Sequence, residues 1–241
     1  MTQFADITLN GVRLQAWADG SLYWPDGQTL IVSDLHLEKG SSYARRGQML
    51  PPYDSRATLE RLDRALTGRA VRRLICLGDS FHDQGAADRL GGDERNALIA
   101  LTEQVETIWI AGNHDPAPPP DFGGMVVEDL VEGGLVFRHE ADTQTGWGEI
   151  SGHYHPKAGL SAKGRRLSGP CFMEDGRRLI MPAFGSYTGG LSVLDPVYRP
   201  LFQTGFRVHI TSRHGVLSVS EDRLRQSNRA EAGASARLLR R

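Results

Sequence analysis

The plan of this chain is first visible in Thr29-Leu30-Ile31-Val32-Ser33-Asp34-Leu35-His36. An apolar run, TLIV, ends at once on an acid and a histidine two residues apart. The pattern recurs three times. LICL precedes Gly78-Asp79-Ser80-Phe81-His82-Asp83, TIWIA precedes Gly112-Asn113-His114-Asp115, and GEIS precedes Gly152-His153-Tyr154-His155. Apolar runs of that length read as buried strands. Oxygen and imidazole ligands at the ends of several strands, in the crevice of an α/β sheet, describe a metal site. Five of the eight histidines fall in these stretches, and a sixth, His139, closely follows a further apolar run, LVF, so histidine gathers where ligands are needed.

Around these signals the first half reads as βαβα. Asn10-Gly11 between ITL and VRL is a type I′ hairpin signal. A helix is expected after Pro51-Pro52, capped by Asp54 or Ser55, with Leu59, Leu62 and Leu66 on one face and Gly68 at its end. The Gly/Ser/Arg stretch between Asp34-x-His36 and Pro51 reads as a loop. A second helix is expected over Asp93–Gln104, with Leu98 and Leu101 inward. Pro116–Pro120 reads as a proline-rich loop.

Beyond it the runs MVV, LVF, EISG, LIMPAF, LSVL, RVHI and VLSV alternate with Gly-containing turns, so the second half reads as mostly antiparallel β. Ligands come from both halves, which makes them layers of one domain over residues 1–220. Residues 221–241 hold six arginines against three acids. That segment is expected to be a mobile, Arg-rich tail without apolar material to pack.

The 241 residues allow one sizeable core. The net charge is −1, so no global basic field points to nucleic acid; the tail carries +3 and the body −4. Two cysteines, Cys76 and Cys171, are too few for a thiolate zinc site, and Cys76 sits in the apolar run LICL as a small buried hydrophobe. Neither a signal peptide nor a membrane-spanning run is recognisable, so a cytoplasmic protein is expected.

The spacings carry chemistry. In Asp34-x-His36 the two side chains, on an extended strand exit, point the same way and reach one ion. His153-x-His155 repeats that logic. Asp79 has two carboxylate oxygens, which suits bridging two cations, and Asn113 offers a neutral carbonyl oxygen. Two ions held ~3.5–4 Å apart would clamp a phosphoryl group and lower the pKa of a shared water. Carboxylate, amide and imidazole ligands without thiolate suit Mn²⁺, Fe or Zn²⁺.

The ordered set Asp34-x-His36, Gly78-Asp79, Gly112-Asn113-His114-Asp115, His139 and Gly152-His153-x-His155 resembles the calcineurin-like metallophosphoesterase superfamily. SDLHLEKGSSYARRGQMLPPYD, GDSFHD, SGHYHP and CF…RLIMPAFGSYTGGL are similar to its ligase-associated DNA damage response endonuclease branch. The resemblance implies a four-layer α/β/β/α fold, two β-sheets flanked by helices. It implies two divalent ions, most simply Mn²⁺. One would take Asp34, His36, Asp79 and His155; the other Asp79, Asn113, His139 and His153. His114 would assist the leaving group, Asp115 would orient His114, and a metal-bridging hydroxide would attack in line.

The branch further implies a Mn²⁺-dependent phosphodiesterase acting on DNA, a DNA endonuclease of bacterial repair. Functional association with an ATP-dependent DNA ligase, a helicase and an exonuclease-like protein is implied as well. The superfamily usually reads Gly-Asp-x-x-Asp; here His82 stands in the place of the second acid and Asp83 follows, each a candidate partner to a ligand.

Lys39, Arg45 and Arg46, with Tyr43 among them, leave the first motif and are candidates to hold DNA phosphates and to stack on a base. Arg165-Arg166 and Arg177-Arg178 read as solvated hairpin charge, PAFGSYTGGL as a packed corner, and His209 and His214 as ordinary strand and turn residues. The alternative function is a small-molecule phosphatase or nucleotidase on the same site. A non-catalytic scaffold is disfavoured, because every expected ligand position carries a competent residue.

Overall fold

The computed structural model describes residues 2–115, 120–144, 146–162 and 165–227. Seven strands form the first sheet in sequence order: β1 Phe4–Leu9, β2 Val12–Trp17, β3 Leu22–Trp24, β4 Thr29–Val32, β5 Arg73–Leu77, β6 Glu106–Ile110 and β7 Met125–Val127. β1 to β4 are antiparallel. The Asn10-Gly11 turn has positive φ at both residues (48° and 81°) and joins paired Leu9 and Val12, as a type I′ hairpin requires. β4 to β7 are parallel.

The second sheet holds β8 Leu130–Glu132, β9 Leu135–Arg138, β10 Glu149–Ser151, β11 Pro156–Ala162, β12 Arg165–Glu174, β13 Arg178–Ile180, β14 Leu191–Ser192, β15 Arg207–Ser212 and β16 Gly215–Ser220. Its order is β14-β11-β12-β13-β10-β9-β8, with β15 and β16 pairing onward from β12. Most pairs are antiparallel, as expected. The central trio β9, β10 and β13 is parallel, however. Both sheets therefore end parallel strands at one rim, the place where an α/β sheet offers a crevice.

Three apolar clusters separate the layers. Ile7, Leu14, Ile31, Ile75 and Ile108 of the first sheet meet Phe137, Ile150, Phe172 and Leu179 of the second. Leu30, Cys76 and Trp109 face the helices α1 Lys39–Arg45, α2 Asp54–Thr67, α3 Ala86–Arg89 and α4 Gly92–Gln104. Leu59, Leu62 and Leu66 of α2, and Leu98 and Leu101 of α4, point inward as their spacing predicts. The expected two-sheet α/β sandwich is present. Its fourth layer is thin: the 3-10 turn Pro196–Tyr198 and the segment to Phe202 cover Cys171, Met173 and Ile210.

Three expectations change. The stretch after the first motif is helix α1, not a loop. Its start is held from α2, since Gly40 N–H donates to Asp54 Oδ2 (2.9 Å) and Glu38 N–H to Ser55 Oγ (2.8 Å). Asp54 and Ser55 accordingly do not cap their own helix, whose preceding residue is Tyr53. β11 and β12 pair antiparallel from Lys157↔Pro170 to Ala162↔Arg165, where Arg165-Arg166 reads as hairpin charge in the sequence. Residues 221–227 are helical, with Leu224 buried in the third cluster and Ser227 Oγ accepting from Ser161 N–H (2.8 Å), so the tail expected from 221 does not begin there. Residues 228–241 and 116–119 of the proline-rich loop lie outside the described residues.

Candidate metal centre

The residues singled out from the sequence converge at the rim where β4, β5, β6, β9 and β10 end. Asp34 and His36 follow β4, Asp79 follows β5, Asn113 follows β6, His139 follows β9, and His153 and His155 follow β10. The chain past β4 and β5 stays zipped. His36 N–H donates to Asp79 O (2.9 Å), Leu37 N–H to Ser80 O (2.9 Å) and His82 N–H to Leu37 O (3.0 Å). This holds the first two motifs side by side.

Their side chains do not converge by strand alternation. Asp34, His36, Asp79, His153 and His155 all have positive φ, between 44° and 68°. Asp and His enter that region more readily than most residues, yet each visit costs roughly 1–2 kcal/mol. Such concentrated strain is characteristic of functional sites. The two histidines of His153-x-His155 are split between two groups. Asp34, His36 and His155 form one; Asp79, His139 and His153 form the other, with ligand atoms of each group within 4.8 Å of one another.

In the second group, His139 Nδ1 lies 2.9 Å from the Leu77 carbonyl and donates its proton there. Nε2 is then left as a lone pair. It faces Asn113 Oδ1 (2.8 Å), His153 Nδ1 (3.2 Å) and Asp79 Oδ2 (3.5 Å). His153 Nδ1 is also 3.1 Å from Asn113 Oδ1. Four atoms able to accept, pointing at one another, need a shared proton or a cation between them. In the protein alone a proton serves: burial would lower the His139 pKa, but Asp79 and Asp34 outweigh it and carry it up to about 9.

In the first group, His155 Nε2 is 3.1 Å from Asp34 Oδ1 without the alignment of a hydrogen bond. His36 Nε2 is 3.9 Å from Asp79 Oδ2, which places Asp79 between the groups. Burial pushes the Asp34 carboxyl up, and His155, His139 and His36 more than reverse this, so it stays ionised. Asp79 is likewise held below the usual carboxylate range against its burial, chiefly by His139 and the His114 N–H. His36 is driven by burial to about 3, so its ring is neutral and free to ligate. These residues fit divalent cations.

Two glycines make the approach feasible. Gly78 has φ 74°, and a Cβ there would overlap the His139 ring. A Cβ on Gly152 would overlap Ser33 Oγ and stand 2.5 Å from Asp34 Oδ2. Ser33, quoted in the first motif but given no role by sequence reasoning, donates its hydroxyl to Asp34 Oδ2.

His114 stands on the open side, 42% exposed, with Nε2 3.9 Å from Asp79 Oδ2. The expected orienting contact from Asp115 is not made. His114 Nδ1 meets the His82 carbonyl at 2.9 Å. Asp115 instead turns inward, where its Oδ2 accepts from Phe81 N–H (2.9 Å), bracing the loop that carries that carbonyl. Burial, with Asp79 adding to it, raises the Asp115 carboxyl to about 7; a cation nearby would pull it back down.

The His82 ring stacks on His114 (5.5 Å, 18°) and meets His36 edge-on (5.5 Å). Asp83 touches no candidate ligand and is bound by Arg89 at 2.8 and 2.9 Å. Tyr43 lies 6.0 Å from the His82 ring, while Arg45 and Arg46 are exposed at the far end of α1. His209 and His214 lie away from the site in the β15–β16 hairpin.

The PAFGSYTGGL segment is a corner that clamps the ligand loops. Phe184 N–H donates to Ser33 O (2.7 Å), Gly185 N–H to Asp34 O (3.0 Å) and Leu191 N–H to His155 O (3.1 Å).

Two sheets ending at one rim with two imidazole–carboxylate groups define a metal-dependent phosphoesterase, a hydrolase. The chain belongs to the calcineurin-like phosphoesterase family, whose profile matches residues 27–180, a span that includes every candidate ligand and His114. Among solved structures, the crystal structure of the Pseudomonas putida nuclease MPE is similar at 25% identity and a TM-score of 0.66, over 90% of this chain and 100% of that one. A conserved Streptococcus pneumoniae protein described as a predicted phosphoesterase aligns at 15% identity and a TM-score of 0.33, over 80% of this chain and 97% of that one. A comparison with curated proteins returned no match. Among the described residues no helix is long and apolar enough to cross a membrane.

Proposed function

We propose that this protein is a phosphodiesterase acting on DNA, an endonuclease of bacterial DNA repair. The observation that carries the reading is the pair of three-residue ligand groups meeting at Asp79, with His114 poised on their open side. The nuclease similar over nearly the whole chain supports a nucleic-acid phosphodiester as substrate, and the sequence resemblance supports DNA. Asp34, His36, Asp79 and His155 would hold one divalent ion and Asp79, Asn113, His139 and His153 the other, with Mn²⁺ proposed. Bound there, the ions supply Lewis-acid polarisation of the phosphoryl oxygens and neutralise charge in the displacement.

The protein's own groups do the rest. His114, fastened through Nδ1 to the His82 carbonyl, directs Nε2 outward to hold the proton that the leaving oxygen takes. Asp115 keeps that carbonyl in place through Phe81 N–H. The stacked His82 ring limits how far the His114 ring can swing. Tyr43, whose ring lies 6.0 Å from that of His82, would stack on a base. Association with a DNA ligase, a helicase and an exonuclease-like protein rests on the sequence resemblance, and co-purification from cells tests it.

The deciding experiment is cleavage of circular single-stranded DNA by metal-stripped protein, with and without Mn²⁺, alongside His114→Ala and Asp79→Ala. Circular DNA has no ends. Mn²⁺-dependent linearisation, lost in both variants, is expected. Turnover of a nucleotide or small phosphate ester without any DNA cleavage would replace this reading with a small-molecule phosphatase.

A further inference from the structure

We infer that the groove between β11 and β12 is a phosphate-binding track for a polynucleotide strand entering or leaving the metal centre. The inference rests on the phosphodiesterase reading and extends it to the substrate's flanking nucleotides.

The groove lies on the strand that leaves the site. β11 begins at Pro156, directly after His155, and Lys157 is two residues along, ~7 Å of strand. Lys157 pairs with Pro170 on one side and Ser192 on the other, while Arg166 pairs with Ser161 farther along. The side chains nonetheless line one groove of about 390 Å³, with Gly159, Ser168, Gly169 and Ser192. The Arg166 guanidinium lies over Gly159, 3.7 Å from where a Cβ would stand. The Lys157 stem lies against Gly190, in the segment that clamps Asp34 and His155. The chain leaving His155 and the Gly190 segment thus join track and metal centre.

Its chemistry is that of a phosphate site. Arginine, lysine and serine are the residues that hold nucleic-acid phosphates. No carboxylate lines this groove, whereas three others of the protein carry Glu60 and Asp93, Asp175, or Glu174. Elsewhere, arginines such as Arg73, Arg89 and Arg138 are neutralised by acids at 2.7–2.9 Å. Lys157 and Arg166 have no acidic partner among the described residues. Two uncompensated cations over a glycine floor leave room for a backbone to approach and charge to meet it. Net charge hides this, because the body as a whole is acidic.

The test is equilibrium binding of a fluorescein-labelled oligothymidylate across a salt series, by fluorescence anisotropy. The Mn²⁺-loaded parent carries His114→Ala so that the strand is not consumed, and is compared with the same protein bearing Lys157→Gln and Arg166→Gln. The expected result is several-fold weaker binding and a salt slope shallower by about 1.4, that is ~0.7 for each of two phosphates on a single strand. Equal slope and affinity, or no binding by the parent, overturns the track and leaves these residues as solvated hairpin charge. If protein with His114 intact cleaves no DNA while the slope difference is present, the proposed function falls and the track stands. If DNA is cleaved and the slope is unchanged, the reverse holds.

Discussion

The Nε2 of His139 and the Nδ1 of His153 lie 3.2 Å apart, ring nitrogen facing ring nitrogen. Because His139 Nδ1 is committed to the Leu77 carbonyl, the pair has at most one proton to share and two lone pairs to satisfy. A divalent cation satisfies both, along with the oxygens of Asn113 and Asp79.

Metal binding is therefore expected to stabilise the fold. At a hundredfold excess over Kd, each bound Mn²⁺ should add about 2.7 kcal/mol. For a chain of this size that is roughly a 5–10 °C rise in Tm. Thermal melts with Mn²⁺ and with chelator check this. An Asp79→Ala variant should lose most of the rise, because that carboxylate stands between both groups.

His114→Ala should lower kcat by about 10²–10⁴ while metal content and Tm stay near those of the parent. The His114 N–H that Asp79 Oδ1 accepts is retained in the variant, and the half-exposed ring stands at the edge of the ligand set, so its loss leaves the cluster standing. Steady-state kinetics together with elemental analysis of bound metal separate the two. A variant that loses metal as well as rate would contradict the assignment.

Gly78→Ala should cost one metal ion before it costs the fold. The new methyl would meet the His139 ring at a residue whose φ is 74°. His139 would be displaced from Asn113 and His153, so metal per chain should fall from two toward one. Unchanged stoichiometry would show that the ring has room to retreat.

The Asp83–Arg89 pair should make a pH-dependent contribution away from the ligands. Arg89, helped by Ser42 and the Gly85 N–H, lowers the Asp83 carboxyl from 3.8 to about 2. A depressed carboxylate pKa stabilises the fold fully above the unfolded value and loses that contribution as pH falls through the folded one. With Asp83 36% exposed, the pair is worth about 1 kcal/mol. Urea midpoints of the parent and Asp83→Asn should differ at pH 6, with the gap about half closed by pH 3. A gap independent of pH would mean packing, not charge.

Helix α2 was legible because Leu59, Leu62 and Leu66 repeat at a helical period, a signal contained within the segment. Helix α1 was not. Its KGSSYAR sequence is a poor helix former, and its first turn is secured by Asp54 and Ser55 from another element. The paired stretches of β11 and β12 carry no apolar run of their own, and their register is set by pairing from Lys157↔Pro170 to Ala162↔Arg165. The orienting role expected of Asp115 went to a backbone carbonyl, and a carbonyl leaves no trace in residue identity.

Residue types and their order were enough to place the donor atoms at strand ends, to exclude thiolate, and to read a βαβα half and a mostly antiparallel β half as layers of one domain. Those properties depend on side-chain chemistry and on the length of apolar runs, both local. The contacts settled what depends on direction in space. Five ligands are turned into left-handed backbone, Asp115 turns away from His114, and His114 hangs from His82. A side chain's aim is fixed by φ and by the neighbours that hold it there, and those neighbours come from strands far apart in the chain.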